Sequence, residues 1–331
     1  MNGDSRIRLR WRSGLLAGFL TAATITVMLR ERGFAQVPKN LPPDVTAELG
    51  KSPKPPLPNQ TVGIDIDRFV GNPLLSPVHV THGVIFQRPI LRKGNPYQPG
   101  DPGAVLEYRK DFSLGTIAGF NRTAMVQIPE AQFWYVESGK GQLDDGDKYW
   151  DLREGIGALI APNAKHRLVN TTDEPLQMLM LTWMPAPPER LAPILVRDVH
   201  SLPLPASGAH WNYFGPIFFS PADGLHPNEA FAVVYMPPMT IGEPHAHIPH
   251  WEEIWTKLPP DSSYFILGSE VRKMEPNTAF LSPPNSQTTH SIVNLMEHDY
   301  QAWLYIGHFA WPQAKSPQAA FVNPKPVKSG N

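Results

Sequence analysis

The segment Gly242-Glu243-Pro244-His245-Ala246-His247-Ile248-Pro249-His250-Trp251-Glu252, with Pro283-Pro284 and His290 further on, concentrates the chemistry of this chain. Two histidines separated by one residue on an extended segment face the same side, because strand side chains alternate with period two. A carboxylate a few residues on and a third histidine from a later strand complete a shell of three nitrogens and one oxygen. Such a shell suits a single divalent transition metal, iron, manganese, nickel, copper or zinc, and leaves positions free for a substrate or dioxygen. His-x-His alone is a short pattern in a chain with 12 histidines, and an ordinary hydrogen-bonding role is the alternative reading.

The elements that must position these residues come from an internal repeat. Met125-Val-Gln127-Ile-Pro-Glu-Ala-Gln132-Phe-Trp-Tyr-Val lies over His245-Ala-His247-Ile-Pro-His-Trp-Glu252-Glu-Ile-Trp-Thr, at an offset of 120 from Met125 to His245. The Ile-Pro pair and the aromatic strand are kept, whereas the ligand-type residues have changed. His166-Arg-Leu-Val-Asn170 lies over His290-Ser-Ile-Val-Asn294 at an offset of 124. Around both blocks run short β-branched or aromatic stretches separated by Pro, Gly, Asn and Asp. They predict strands over 231–236, 252–258, 263–267, 278–282 and 300–309. One short helix is expected over 189–196.

Gly242, His245, His247, Glu252, His290 and Asn294 together resemble the two motifs of the cupin superfamily, and the two copies resemble a bicupin. The resemblance implies an all-β chain of two tandem jelly-roll barrels, spanning roughly 105–311 in its motifs. It also implies His245, His247, Glu252 and His290 as ligands of one metal in the C-terminal copy, with iron or manganese favoured. In the N-terminal copy Gly139 and Gly141 match the hairpin glycines, but Met125, Gln127 and Gln132 replace the ligands and leave His166 alone. That barrel is expected to be metal-free and structural, burying surface against the second; a homodimer is compatible with this arrangement.

Glu252 and Glu253 compete for the carboxylate position. Four residues separate His247 from Glu252, which is the family's spacing, and Gln132 lies over Glu252. On that reading Glu253 and Trp255 face the other side of the strand. His250 is expected at the rim or hydrogen-bonded to the ligands, or else as a solvated loop histidine. Glu253 or His250 is available for proton transfer. Trp251, Trp255, Tyr264, Phe265, Trp303 and Tyr305 cluster near the site, either as core or as a wall for a ring-shaped substrate. His79 and His82 have no further ligand at a useful spacing, and a structural role is expected of them.

The chain has 331 residues, enough for two domains and tails, and 41% hydrophobic residues supply real cores. A net charge of −1 gives no basic field for nucleic acid. Arg6, Arg8, Arg10 and Arg12 precede an apolar run over 14–29, followed by Gly33 and Ala35. This predicts an export signal over 1–36 and a periplasmic or secreted protein; the alternative is an uncleaved anchor with the barrels outside the cytoplasm. The absence of cysteine agrees with export. A proline-rich linker is expected over 37–60, barrels over 61–188 and 189–311, and a tail over 312–331. Oxygenase-type chemistry on a small organic substrate is the activity the resemblance implies, with non-redox isomerase, decarboxylase or lyase chemistry, or sugar or metabolite binding without catalysis, as alternatives.

Overall fold

A computed structural model of the chain describes residues 64–204 and 215–309. The export signal expected over 1–36, the linker expected over 37–60 and the tail expected over 312–331 fall outside the described residues. Among the described residues there are strands and short 3-10 turns and no α-helix. The fold is two tandem antiparallel barrels, each a larger sheet facing a smaller one. In the N-terminal barrel the large sheet is built on Ala131–Ser138, Ile156–Ile160, Leu176–Trp183 and Arg109–Ile117, and the small sheet on Lys140–Asp144, Tyr149–Arg153 and Arg167–Asn170. The C-terminal barrel repeats this, with Trp251–Lys257, Ala279–Leu281, Gln301–Phe309 and Glu229–Met236 facing Ser263–Leu267, Glu270–Met274 and His290–Asn294.

The predicted strands form within one or two residues of their expected ends. The helix expected over 189–196 does not: Ile194–Asp198 is a strand paired with Ile156–Ile160. Its Ile-Leu-Val run contains two β-branched residues and finds an open sheet edge, which overrides a weak helical pattern. This strand, from beyond position 189, thereby extends the sheet of the first barrel. In return Val70–Gly71, from the segment assigned to the first barrel, pairs with Ala279–Leu281 of the second.

The large sheets are buried on both faces. In Ala131–Ser138 every residue but the last is buried, which accounts for its unbroken apolar run. Trp134 and Val136 join Leu143, Leu152, Leu168, Met178 and Met180 inside the first barrel. Phe133 and Tyr135, on the opposite face, pack with Phe218, Phe231 and Ile254 in a core that spans both barrels. The two repeat-related asparagines are structural: Asn170 donates to the carbonyls of Ile117, Ala118 and Glu174, and Asn294 to those of Met236, Pro237 and Asp299.

Candidate metal centre

His245 and His290 stand opposite one another in a two-residue bridge: His290 N donates to His245 O at 2.8 Å, and His245 N to His290 O at 3.3 Å. This small piece of antiparallel pairing brings the two ends of the motif together and sets the imidazoles 4.4 Å apart between centroids. His247, two residues on, presents its ring 4.9 Å from that of His290. The strand Trp251–Lys257 supplies the carboxylate. The ligand-type atoms of His245, His247, Glu253 and His290 all lie within 4.8 Å of one another.

The carboxylate is therefore Glu253, and the expectation of Glu252 is corrected. The N-terminal barrel has the same bridge, between Val126 and His166, so by position in the bridge His245 corresponds to Val126. Gln132-Phe-Trp134 then corresponds to Glu253-Ile-Trp255. Between these anchors the second barrel carries two additional residues, since 126 to 132 becomes 245 to 253. A constant offset of 120 splits that difference and lands one residue early, and a one-residue slip in a strand exchanges its two faces. His250, within the lengthened turn, takes the left-handed conformation with φ 69°. Aligning Trp134 with Trp255 was the signal in the sequence that identifies Glu253. Trp255 moves with it: expected to face out, it is buried inside the barrel with its ring 5.0 Å from that of Tyr305.

Glu252 faces the first barrel. Its Oε2 accepts from the backbone N–H of Tyr108 at 2.9 Å and from that of Glu107. The Arg109 guanidinium, buried beside it, is ion-paired to Glu229 of the second barrel. Burial pushes the Glu252 carboxyl up, with Arg109 and the two N–H donors opposing. This residue holds the barrels together.

The four clustered residues suit a metal ion. His245 Nδ1 lies 2.8 Å from Glu243 O and His290 Nδ1 lies 2.8 Å from Ser282 Oγ, so in each ring Nε2 is directed at the cluster. His247 Nε2 is buried and 2.8 Å from Glu253 Oε2, without a well-aligned hydrogen bond. Glu253 Oε1 is 2.8 Å from His290 Nε2. Burial alone would raise the Glu253 carboxyl, but His247 and His290 override it and hold it well below the usual carboxylate range. Burial lowers His290 to about 4 against the pull of Glu253, so it is neutral at physiological pH and offers a lone pair. Three imidazoles and one carboxylate, all but His245 buried, form a donor set for a divalent ion.

Two indoles hold the carboxylate, a feature the sequence reading did not anticipate. Trp251 Nε1 donates to Glu253 Oε2 at 3.2 Å and Trp255 Nε1 donates to Glu253 Oε1. Trp251 also stacks on His247, centroids 4.2 Å apart and 14° between planes. His250 is at the rim, tied to the other barrel: its backbone N donates to Tyr97 Oη at 2.7 Å, and its Nδ1 lies 3.0 Å from Glu107 Oε1 and 3.2 Å from Tyr108 Oη. The turn between His247 and Glu253 is thus clamped by residues of the first barrel.

Of the known families, the Cupin domain matches residues 128–182, in the first barrel. Among solved structures, AerE from Microcystis aeruginosa superposes with a TM-score of 0.53 at 17% identity, covering 73% of this chain and 99% of that one. An oxalate decarboxylase from Lactobacillus farciminis, in a formate complex, gives a TM-score of 0.53 at 11% identity, covering 75% of this chain and 88% of that one. A salicylate 1,2-dioxygenase from Pseudaminobacter salicylatoxidans gives 0.50 at 12%, covering 66% and 75%. No match was found among curated proteins. At these identities the superpositions speak for the fold.

Proposed function

We propose that the chain, whose first barrel matches the Cupin domain and whose fold is that of two tandem barrels, is an exported metal-dependent enzyme of oxygenase type, acting on a small organic substrate in its C-terminal barrel. The observation that carries the reading is the convergence of His245, His247, Glu253 and His290 within 4.8 Å in a buried pocket. A divalent ion there supplies Lewis acidity and, if it is iron or manganese, electron transfer with dioxygen.

The protein's own residues set the conditions for that chemistry. Four donors leave room in the coordination shell for a substrate oxygen. Glu243 O and Ser282 Oγ hold two rings in a fixed orientation, and Trp251 and Trp255 fix the carboxylate, so little reorganisation accompanies binding. Burial of His247, Glu253 and His290 excludes bulk water and strengthens each electrostatic interaction inside. His250, exposed at the rim among Tyr97, Glu107 and Tyr108, is placed to exchange protons with solvent.

A non-redox reaction uses the same donors, and the similarity to an oxalate decarboxylase gives that reading its specific support. Elemental analysis of protein purified without added metal or affinity tag, followed by oxygen-uptake screening of enols, catechols and small carboxylic acids, separates the readings. About one equivalent of iron or manganese with substrate-dependent oxygen uptake supports the oxygenase. Carbon dioxide release or isomerisation without oxygen uptake supports the second reading. No metal, with none taken up on reconstitution, overturns both and leaves a binding protein. Fractionation of cells for the full chain tests export, and retention in the cytoplasm overturns that part of the proposal.

A further inference from the structure

The N-terminal barrel has a polar cluster of its own at the position where the other barrel gathers its ligands. Gln132, Trp134 and His166 are each about 1% exposed, and His82 reaches them from the turn between His79–Thr81 and Ile85–Lys93. The rings of His82 and Trp134 are 6.0 Å apart, those of His82 and His166 6.0 Å, and those of Trp134 and His166 5.4 Å. Around them stand Ile85, Met178 and Met180. Four polar atoms in this apolar setting have no hydrogen-bond partner: His82 Nδ1, Gln132 Oε1, Trp134 Nε1 and His166 Nε2. A buried unpaired polar atom costs about 1–3 kcal/mol, so four in one place point to a missing occupant.

The hydrogen-bonding sense of each atom is fixed by its neighbours. His166 Nδ1 lies 2.8 Å from Ala164 O and so carries the proton, leaving Nε2 as an acceptor. Gln132 Nε2 lies 3.4 Å from His82 Nε2 and donates to it, which places the His82 proton on Nδ1 and leaves Gln132 Oε1 as an acceptor. Trp134 Nε1–H can only donate. The unpaired set is therefore two donors, His82 and Trp134, and two acceptors, Gln132 and His166. Burial lowers both imidazoles, His82 to about 4, so the set is neutral at physiological pH. An ion would enter without a countercharge, at a large desolvation penalty. A metal would also leave the indole N–H unpaired.

We propose that the N-terminal barrel binds a small neutral molecule of the carboxamide class, whose carbonyl accepts from His82 and Trp134 and whose NH2 donates to Gln132 and His166. A planar amide matches the two-and-two inventory. His82 is only partly buried and marks the way in. The site is separate from the proposed metal centre, and its occupancy does not depend on that reading.

The test is NMR titration of the full chain, 15N-labelled at histidine and tryptophan, with acetamide as the probe and acetate as its charged counterpart. Trp134→Phe and His166→Phe assign the two signals. Saturable shifts of the Trp134 indole and of His166 are expected with acetamide and none with acetate, and Gln132→Leu should weaken the acetamide response about tenfold while leaving the ligand-free spectrum folded. Absence of a saturable shift means that water alone fills the cluster and overturns the proposal. An equal response to acetate, or an undiminished one in Gln132→Leu, overturns it as well.

Discussion

In the C-terminal barrel the strand Trp251–Lys257 turns Glu253 and Trp255 inward beneath three imidazoles; in the N-terminal barrel Ala131–Ser138 turns Gln132 and Trp134 inward beneath two, those of His82 and His166. The backbone is the same and the indole is retained. Replacing a carboxylate by its amide changes what the pocket can hold. In the second barrel Trp255 donates to the anion it helps to fix; in the first, Trp134 has no such partner and its N–H is unpaired. Where Val126 stands in the His245 position, the nitrogen of a ligand is replaced by an apolar side chain. One scaffold thus carries a charged donor set on one side and a neutral one on the other.

The largest effect expected is on the carboxylate. Glu253→Gln makes the second barrel resemble the first and should reduce metal content from about one equivalent to less than about a tenth, as should His247→Ala, both read by elemental analysis on folded protein. Retention of full metal by either variant breaks the comparison. Glu252→Ala sharpens it from the other face: metal content should be unchanged, while the buried N–H groups of Glu107 and Tyr108 lose their acceptor and the fold is destabilised by about 2 kcal/mol, read as a lower urea midpoint.

Trp255→Phe keeps the ring and removes the N–H held by Glu253, and metal affinity should fall about tenfold in a competition assay with a chelator. The first barrel should report through pH. His82 is lowered to about 4 in the folded chain, so below its unfolded value of about 6.5 the unfolded chain takes up a proton that the folded one refuses. Stability should therefore fall between about pH 6.5 and 4, by at most about 3 kcal/mol from this residue, and His82→Gln should flatten the profile in denaturant melts at pH 7 and 5. The smallest effect is expected from His166→Ala, which should leave metal content unchanged; a halved content would mean that the first barrel also holds metal.

Much of this was legible in the chain. The strands over 231–236 and 263–267 follow from β-branched and aromatic runs between turn residues, and the repeat of His166-Arg-Leu-Val-Asn170 in His290-Ser-Ile-Val-Asn294 gives two barrels rather than one. The histidine pair came from spacing, because period-two alternation makes His245 and His247 neighbours on one face wherever the segment is extended, and His290 came from the repeat and the family resemblance. Parity beyond the next turn was not legible. It depends on the number of residues the turn absorbs, and the left-handed residue His250 lies in a turn whose length only the bridges at His245 and Val126 reveal.

The sequence by itself determined the strands and the His245/His247 pair, which rest on local periodicity, and the fold class and His290, which rest on the repeat and the family resemblance it carries. Only the tertiary structure decided that Glu253 joins them while Glu252 seals the contact between barrels, and that His82 enters the first barrel from outside its motif. It also decided that strands are exchanged at the barrel edges. The reason is physical: adjacent residues on a strand face opposite ways, and which face meets which environment is set by pairing with chain distant in sequence.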